Sequence, residues 1–175
     1  YNVLVTDANG CTSNNVVNII MSTSALTATG SSTPVSCFNG TNGTAIITAS
    51  NGTAPYVVTG ITVPFSGNIP ISGGAIIKPN LSAGTYVFSI TDANGCISSS
   101  GMETVSQPIL VTAATFVDVD ASCVGMCDGE ASSSVLGGTF PYTYQWNDPL
   151  MQTTITAFNL CAQTYNVTIV DANGC

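Results

Sequence analysis

The 175-residue chain contains no histidine and no arginine, and its one basic residue is Lys78. Without imidazole there is no His base and no His ligand, which removes the commonest catalytic triads and catalytic zinc sites. Serine and threonine are plentiful, but no histidine or lysine base accompanies them, so nucleophilic catalysis has no support. A net charge of −8 carrying one cation cannot neutralise a phosphate backbone, which excludes nucleic acid as a partner. The same shortage argues against an anionic membrane surface. No apolar run approaches the roughly 18 residues that span a bilayer, so no direct membrane insertion is expected. Charged residues are also scarce, 6% of the chain against about 25% in an ordinary soluble domain. Neither an enzyme nor a bound cofactor is expected.

Apolar residues make up 45%, enough for a packed core. The seven cysteines point to an oxidising compartment, outside the cell. Metal ligation is the weaker use for them. Cys123 and Cys127 are spaced C-x3-C, but no second close pair or histidine completes a tetrahedral set. An odd count leaves at least one thiol free or partnered outside the chain. The chain opens mid-pattern at Tyr1-Asn2-Val3 and is read as a window on something longer.

Internal repetition is the main signal. Asp-Ala-Asn-Gly-Cys occurs at Asp7–Cys11, Asp92–Cys96 and Asp171–Cys175, each with a tyrosine six residues ahead of the Asp. Cys37, Gly43 and Pro55-Tyr56 are answered at identical spacing by Cys123, Gly129 and Pro141-Tyr142. Successive tags lie 92 − 7 = 85 and 171 − 92 = 79 residues apart, so one repeat is about 80 residues, the size of a small all-β domain. Tyr86, Phe88 and Ile90 alternate onto one face, as do Tyr165, Val167 and Ile169. Short strands with Gly, Pro and Asn punctuation predict an all-β chain of tandem Ig-like β-sandwich repeats. The expected division is residues 1–23 as the F–G end of one repeat, 24–107 as a complete repeat, and 108–175 as a repeat lacking its final G strand. Tyr86 is expected to form a tyrosine corner at the E–F turn. The tags become F–G hairpins: Asn9-Gly10, Asn94-Gly95 and Asn173-Gly174 supply a type I′ turn, and Asp7, Asp92 and Asp171 bond local N–H groups.

Sandwich topology also constrains the cysteines. Cys127 and Cys161 fall at the same end of the third segment, which predicts a disulfide between them. Cys37 and Cys123 sit at the A–B end, whereas Cys11, Cys96 and Cys175 sit at the F–G end. A strand of seven residues separates those ends by roughly 20 Å, and bridged Cα atoms lie within about 7 Å. In an extended array the A–B end of one repeat abuts the F–G end of the next, which makes Cys37 and Cys175 the candidate staple between neighbouring domains. The alternative is that each repeat closes its own Cys37–Cys96 pair. Cys11, Cys96 and Cys123 then have partners outside the window or pair otherwise.

Asp118 and Asp120 alternate on one strand face and are a weak candidate for Ca²⁺, with a solvated, aggregation-resistant edge as the plainer reading. Trp146, with Tyr142 and Tyr144, offers a sugar-stacking platform, although a Trp on strand C of a sandwich normally faces the core.

The run from Gly84-Thr85-Tyr86 to Asp92-Ala93-Asn94-Gly95-Cys96, the cysteines Cys37 and Cys123, and Gly138-Thr139-Phe140-Pro141-Tyr142-Thr143-Tyr144-Gln145-Trp146 resemble the SprB repeat family of surface adhesins in gliding Bacteroidota. Gly60 stands where the other repeat has Trp146, and Gln163 replaces a turn glycine. The resemblance implies export to the cell surface and an adhesive or filament-forming role linked to gliding motility. The expected partners are neighbouring repeats and, at the surface, polysaccharide or substratum. The competing expectations are a spacer or carbohydrate-binding module of a secreted enzyme, and a pilus-type subunit polymerising by strand donation.

Overall fold

The computed structural model describes residues 2–16 and 25–175. Tyr1 and the expected boundary at 23/24 lie outside the described residues. Those described form fourteen strands and no helix. β1 (Asn2–Thr6) and β2 (Thr12–Val16) make an antiparallel hairpin.

Next comes a β-sandwich. β3 (Thr27–Thr33), β4 (Gly43–Ser50) and β7 (Ala75–Leu81) form one sheet in the order β3-β4-β7. β6 (Ser66–Ile69), β5 (Tyr56–Gly60), β8 (Gly84–Thr91) and β9 (Ile97–Val105) form the other, in that order. The pleat sends alternate side chains inward. On β4, Ala45, Ile47 and Ala49 are fully buried, and they meet Tyr56, Val58, Phe88 and Ile90 from the facing sheet. Each large apolar side chain buried this way contributes roughly 1.5–3 kcal/mol. β3 and β9 close one side, where Ser32 Oγ donates to the Thr104 carbonyl at 2.7 Å and Val35 N–H to that of Ser106 at 3.0 Å.

A second set of strands repeats much of this order. β10 (Thr112–Val119), β11 (Gly129–Leu136) and β13 (Thr156–Leu160) form one sheet, and β12 (Thr143–Trp146) pairs with β14 (Val167–Val170). Trp146, Ala157 and Leu160 are its buried core. Trp146 is 2% exposed and its Nε1–H donates to the Thr154 carbonyl, so it offers no sugar platform. No strand answers β6. The shorter loop there winds around buried Asp148, which accepts from Leu150 N–H, Gln152 N–H and the Gln152 amide. Burial pulls this carboxyl up, but those bonds outweigh it and hold it below the usual range. The length difference between repeats is absorbed here.

No strand answers β9 either. A groove of about 440 Å³ opens beside β10, lined by Phe116, Gly129, Trp146, Leu160 and Tyr165. In the first sandwich the residue matching Gly129 is Gly43, and Val105 of β9 packs so closely that a Cβ on Gly43 would lie 2.5 Å from its Cγ1.

Glu103 on β9 is 7% exposed and lies over Gly30, where any Cβ would overlap its carboxylate. Burial pushes this carboxyl above its usual value. A raised acid favours the folded state when protonated, so it penalises folding at neutral pH and the penalty fades as pH falls through the raised pKa. Glu103→Gln should therefore melt above wild type at pH 7, with the gap shrinking toward pH 4. A lower, pH-independent melting temperature would show that the carboxylate makes a bond the fold needs.

Candidate functional site: the clasped hairpins and the junction

The three Asp-Ala-Asn-Gly-Cys segments fold alike. Gly10, Gly95 and Gly174 N–H groups donate to the carbonyls of Asp7, Asp92 and Asp171 at 3.1, 3.0 and 3.0 Å. Within these segments only the glycines take positive φ, at 82°, 83° and 81°; Asn9, Asn94 and Asn173 do not. This corrects the expected type I′ turn, which needs positive φ at both central residues. Three-residue loops instead use a type I turn followed by a left-handed glycine that forms a bulge. The Asp side chain selects that form. Its Oδ1 accepts from the Asn two residues on and the Cys four on, at 2.9 and 2.9 Å for Asp7, 2.9 and 2.8 Å for Asp92, and 2.9 and 2.9 Å for Asp171.

In both sandwiches the second carboxylate oxygen reaches across the end of the fold. Asp92 Oδ2 accepts from Thr53 N–H at 3.0 Å, and Asp171 Oδ2 from Thr139 N–H at 2.8 Å. The side-chain amides of Asn94 and Asn173 also donate hydrogen bonds to the hydroxyls of Thr53 and Thr139, at 2.8 and 2.9 Å. Those threonines follow turns at Asn51-Gly52 and Gly137-Gly138, which the Tyr56 and Tyr142 phenols tie down through the Asn51 and Gly137 carbonyls. The hairpin is thus clasped to the turn that carries the chain from one sheet to the other. For Asp92 the Thr53 N–H, and for Asp171 the Cys175 N–H, is the main cause of a carboxyl held below its usual range, against opposing burial. The sequence reading gave these aspartates local bonds only. The recurrence of Gly52-Thr53 as Gly138-Thr139 carried the missing signal.

At the opposite end, Tyr86 OH donates to the Ser82 carbonyl at 3.0 Å, while Tyr165 OH accepts from Cys161 N–H at 3.1 Å. Cys127 and Cys161 are disulfide-bonded there. The two turns bearing Cys37 and Cys123 share one scaffold. Ser36 N–H donates to Asn42 Oδ1 at 3.0 Å and Gly40 N–H to the Cys37 carbonyl at 2.9 Å. Correspondingly, Ser122 N–H donates to Asp128 Oδ1 at 2.9 Å and Met126 N–H to the Cys123 carbonyl at 3.0 Å.

The structure brings the clasped hairpin of the second sandwich onto the Cys37 turn of the first. Cys37 and Cys175 are disulfide-bonded with Cα atoms 5.7 Å apart, and Asn173 Nδ2 donates to the Ser36 carbonyl at 3.1 Å. The connecting chain is fixed on the same side. Asn39 N–H donates to Gln107 Oε1 at 3.0 Å, Gly138 N–H donates to the Ile109 carbonyl at 2.8 Å, and Phe38, Ile109 and Leu110 line an apolar cleft of about 250 Å³. The alternative Cys37–Cys96 bond does not form. Cys11, Cys96 and Cys123 are exposed free thiols.

Asp118 and Asp120 are not brought together. Asp118 falls at the register shift between Val117 and Val119, and Asp120 lies beyond the end of β10, so they share no continuous strand face. A bulge inserts one residue and breaks the alternation that would align them. Among the described residues no three His, Cys, Asp or Glu side chains gather to hold a metal.

A family model described as the SprB repeat matches residues 29–57 and 115–151. Each match contains a cysteine turn and the Pro-Tyr step that follows the clasped turn. No curated protein matches the chain.

A lowered carboxyl contributes stability that is present at neutral pH and lost as pH falls through the folded-state value. Asp92→Asn and Asp171→Asn should each melt lower than wild type at pH 7, and the gap should close as the solution is acidified through the carboxylate range. Thermal melts between pH 7 and pH 3 check this; a gap that ignores pH would deny the aspartates their charge-dependent role.

Proposed function

We propose that this chain, which carries SprB repeats, is a non-enzymatic segment of a long tandem-repeat adhesin or filament on a bacterial cell surface. Its repeats are Ig-like sandwiches of about 80 residues, with residues 24–107 one unit and 108–175 most of the next. The strand order β3-β4-β7 over β6-β5-β8-β9 supports the Ig-like reading, with the extra edge strand beside the second sheet. The observation that carries the proposal is the junction. A disulfide, a hydrogen bond from the Asn173 amide and a pinned connector all join one sandwich to the next. Such a joint resists bending, which suits a protein that must hold a distant tip away from its base. Disulfides belong to an oxidising, extracellular setting. The ligand at the tip is expected to be surface polysaccharide or substratum.

A second reading has separate subunits complete one another by donating a strand. One measurement separates the two. Material released from the cell surface is weighed in denaturant, with and without reductant. The adhesin reading expects a very large polypeptide under both conditions. Chains of about 17.8 kDa appearing in denaturant would overturn it in favour of assembled subunits.

A further inference from the structure

We infer that the turn bearing Cys123 is a covalent docking site for the Asp-Ala-Asn-Gly-Cys hairpin of another repeat, and that Cys96 and Cys11 are hairpin halves of the same staple. The inference rests on the repeat-array reading above. Its basis is an occupied example within the same molecule, the Cys37 turn holding the Cys175 hairpin.

Both halves are already built. The Cys123 turn shares the two backbone bonds that shape the Cys37 turn: the serine before each cysteine donates its N–H to the acid or amide six residues on, and the residue three beyond each cysteine donates back to the cysteine carbonyl. That places the Ser122 carbonyl where Ser36 offers its own to Asn173. The Cys96 hairpin likewise carries Asn94 and Cys96 in the Asp-held geometry of Asn173 and Cys175. A second feature marks the Cys123 turn as an uncovered interface. Val124 is 104% exposed and Met126 53% exposed, whereas Phe38, the counterpart of Val124, is 39% exposed against the connector and the seated hairpin. Exposed apolar side chains at the tip of a turn are what a docked neighbour would cover.

The staple has a direction. It joins the turn of one sandwich to the hairpin of the following one, so Cys123 faces a following repeat and Cys96 and Cys11 face preceding ones. This accounts for all seven cysteines. Cys127 and Cys161 close a link within one sandwich, Cys37 and Cys175 form one whole staple, and the other three are half-staples.

Closing a staple removes two electrons and two protons from two thiols, so it needs a disulfide oxidant. With glutathione disulfide, the Cys123 thiolate attacks one sulfur and expels a glutathione thiolate. The hairpin cysteine's thiolate then displaces the second glutathione, and the two thiol protons end on the two glutathiones released.

The test uses the folded 175-residue chain in a glutathione/glutathione disulfide buffer, with non-reducing electrophoresis and peptide mass mapping. The expected product is oligomers joined mainly by Cys123 to Cys96 or Cys11, while the same chain in denaturant gives all pairings at random. Cys123→Ser should abolish these mixed links. If that variant fails to fold, the wild-type map still decides the matter. Cys123–Cys123 and Cys96–Cys96 links in the denatured proportions, or a monomer with Cys123 capped by glutathione, would overturn the inference. Either result leaves the surface-adhesin reading standing, because that is judged on the mass of cell-derived material.

Discussion

The Asp171 carboxylate accepts N–H bonds from Asn173, Cys175 and Thr139, and the geometry of the junction follows from those contacts. The first two shape the hairpin so that its cysteine ends on the outer surface. The third locks that hairpin to the turn linking the two sheets, so the cysteine's position is fixed relative to the whole sandwich. Asp92 does the same in the preceding unit through Thr53. A disulfide forms only when two Cα atoms come within about 7 Å with suitable directions. A clasp that holds the thiol in place therefore decides which cysteine it meets.

Acid residues serve this chain as acceptors for N–H groups more than as surface charge. Asp7, Asp92, Asp128, Asp148 and Asp171, five of the nine acidic residues, accept backbone N–H bonds in turns. Rigidity at the turns comes from these carboxylates, which accept N–H bonds from the loops they close. The staple adds covalent strength where two units meet. Cys37 and Cys175 are 138 positions apart in sequence, so a pull transmitted through the two cysteines crosses the bond and bypasses the folded chain between them.

Much of this was legible in the sequence because repetition shows positions answering one another. The all-β class followed from alternation in Tyr86, Phe88 and Ile90, and the burial of Phe88 and Ile90 agrees. The expected proximity of Cys127 to Cys161 came from strand direction, and that of Cys37 to Cys175 from strand direction together with end-to-end stacking of successive repeats; the structure places both pairs in contact. What sequence reasoning missed were consequences of backbone choice. Asn-Gly suits type I′ turns, yet here the Asp carboxylate rewards the N–H of Asn and Cys in a type I turn, and this outweighs the intrinsic preference. Asp118 and Asp120 lost their shared face to a bulge, which periodicity does not announce. The reach of Asp92 to Thr53 spans 39 residues and depends on how the two ends of a sandwich meet.

The most direct test of the account is to pull one molecule by its two termini, before and after adding reductant. If the junction bond carries the load, the 138 positions from Cys37 to Cys175 stay hidden under oxidising conditions, and reduction releases roughly 460–500 Å of additional chain. Equal extension with and without reductant would mean that force runs through the sandwiches themselves, and the Cys37–Cys175 bond would not be the element that holds the two together.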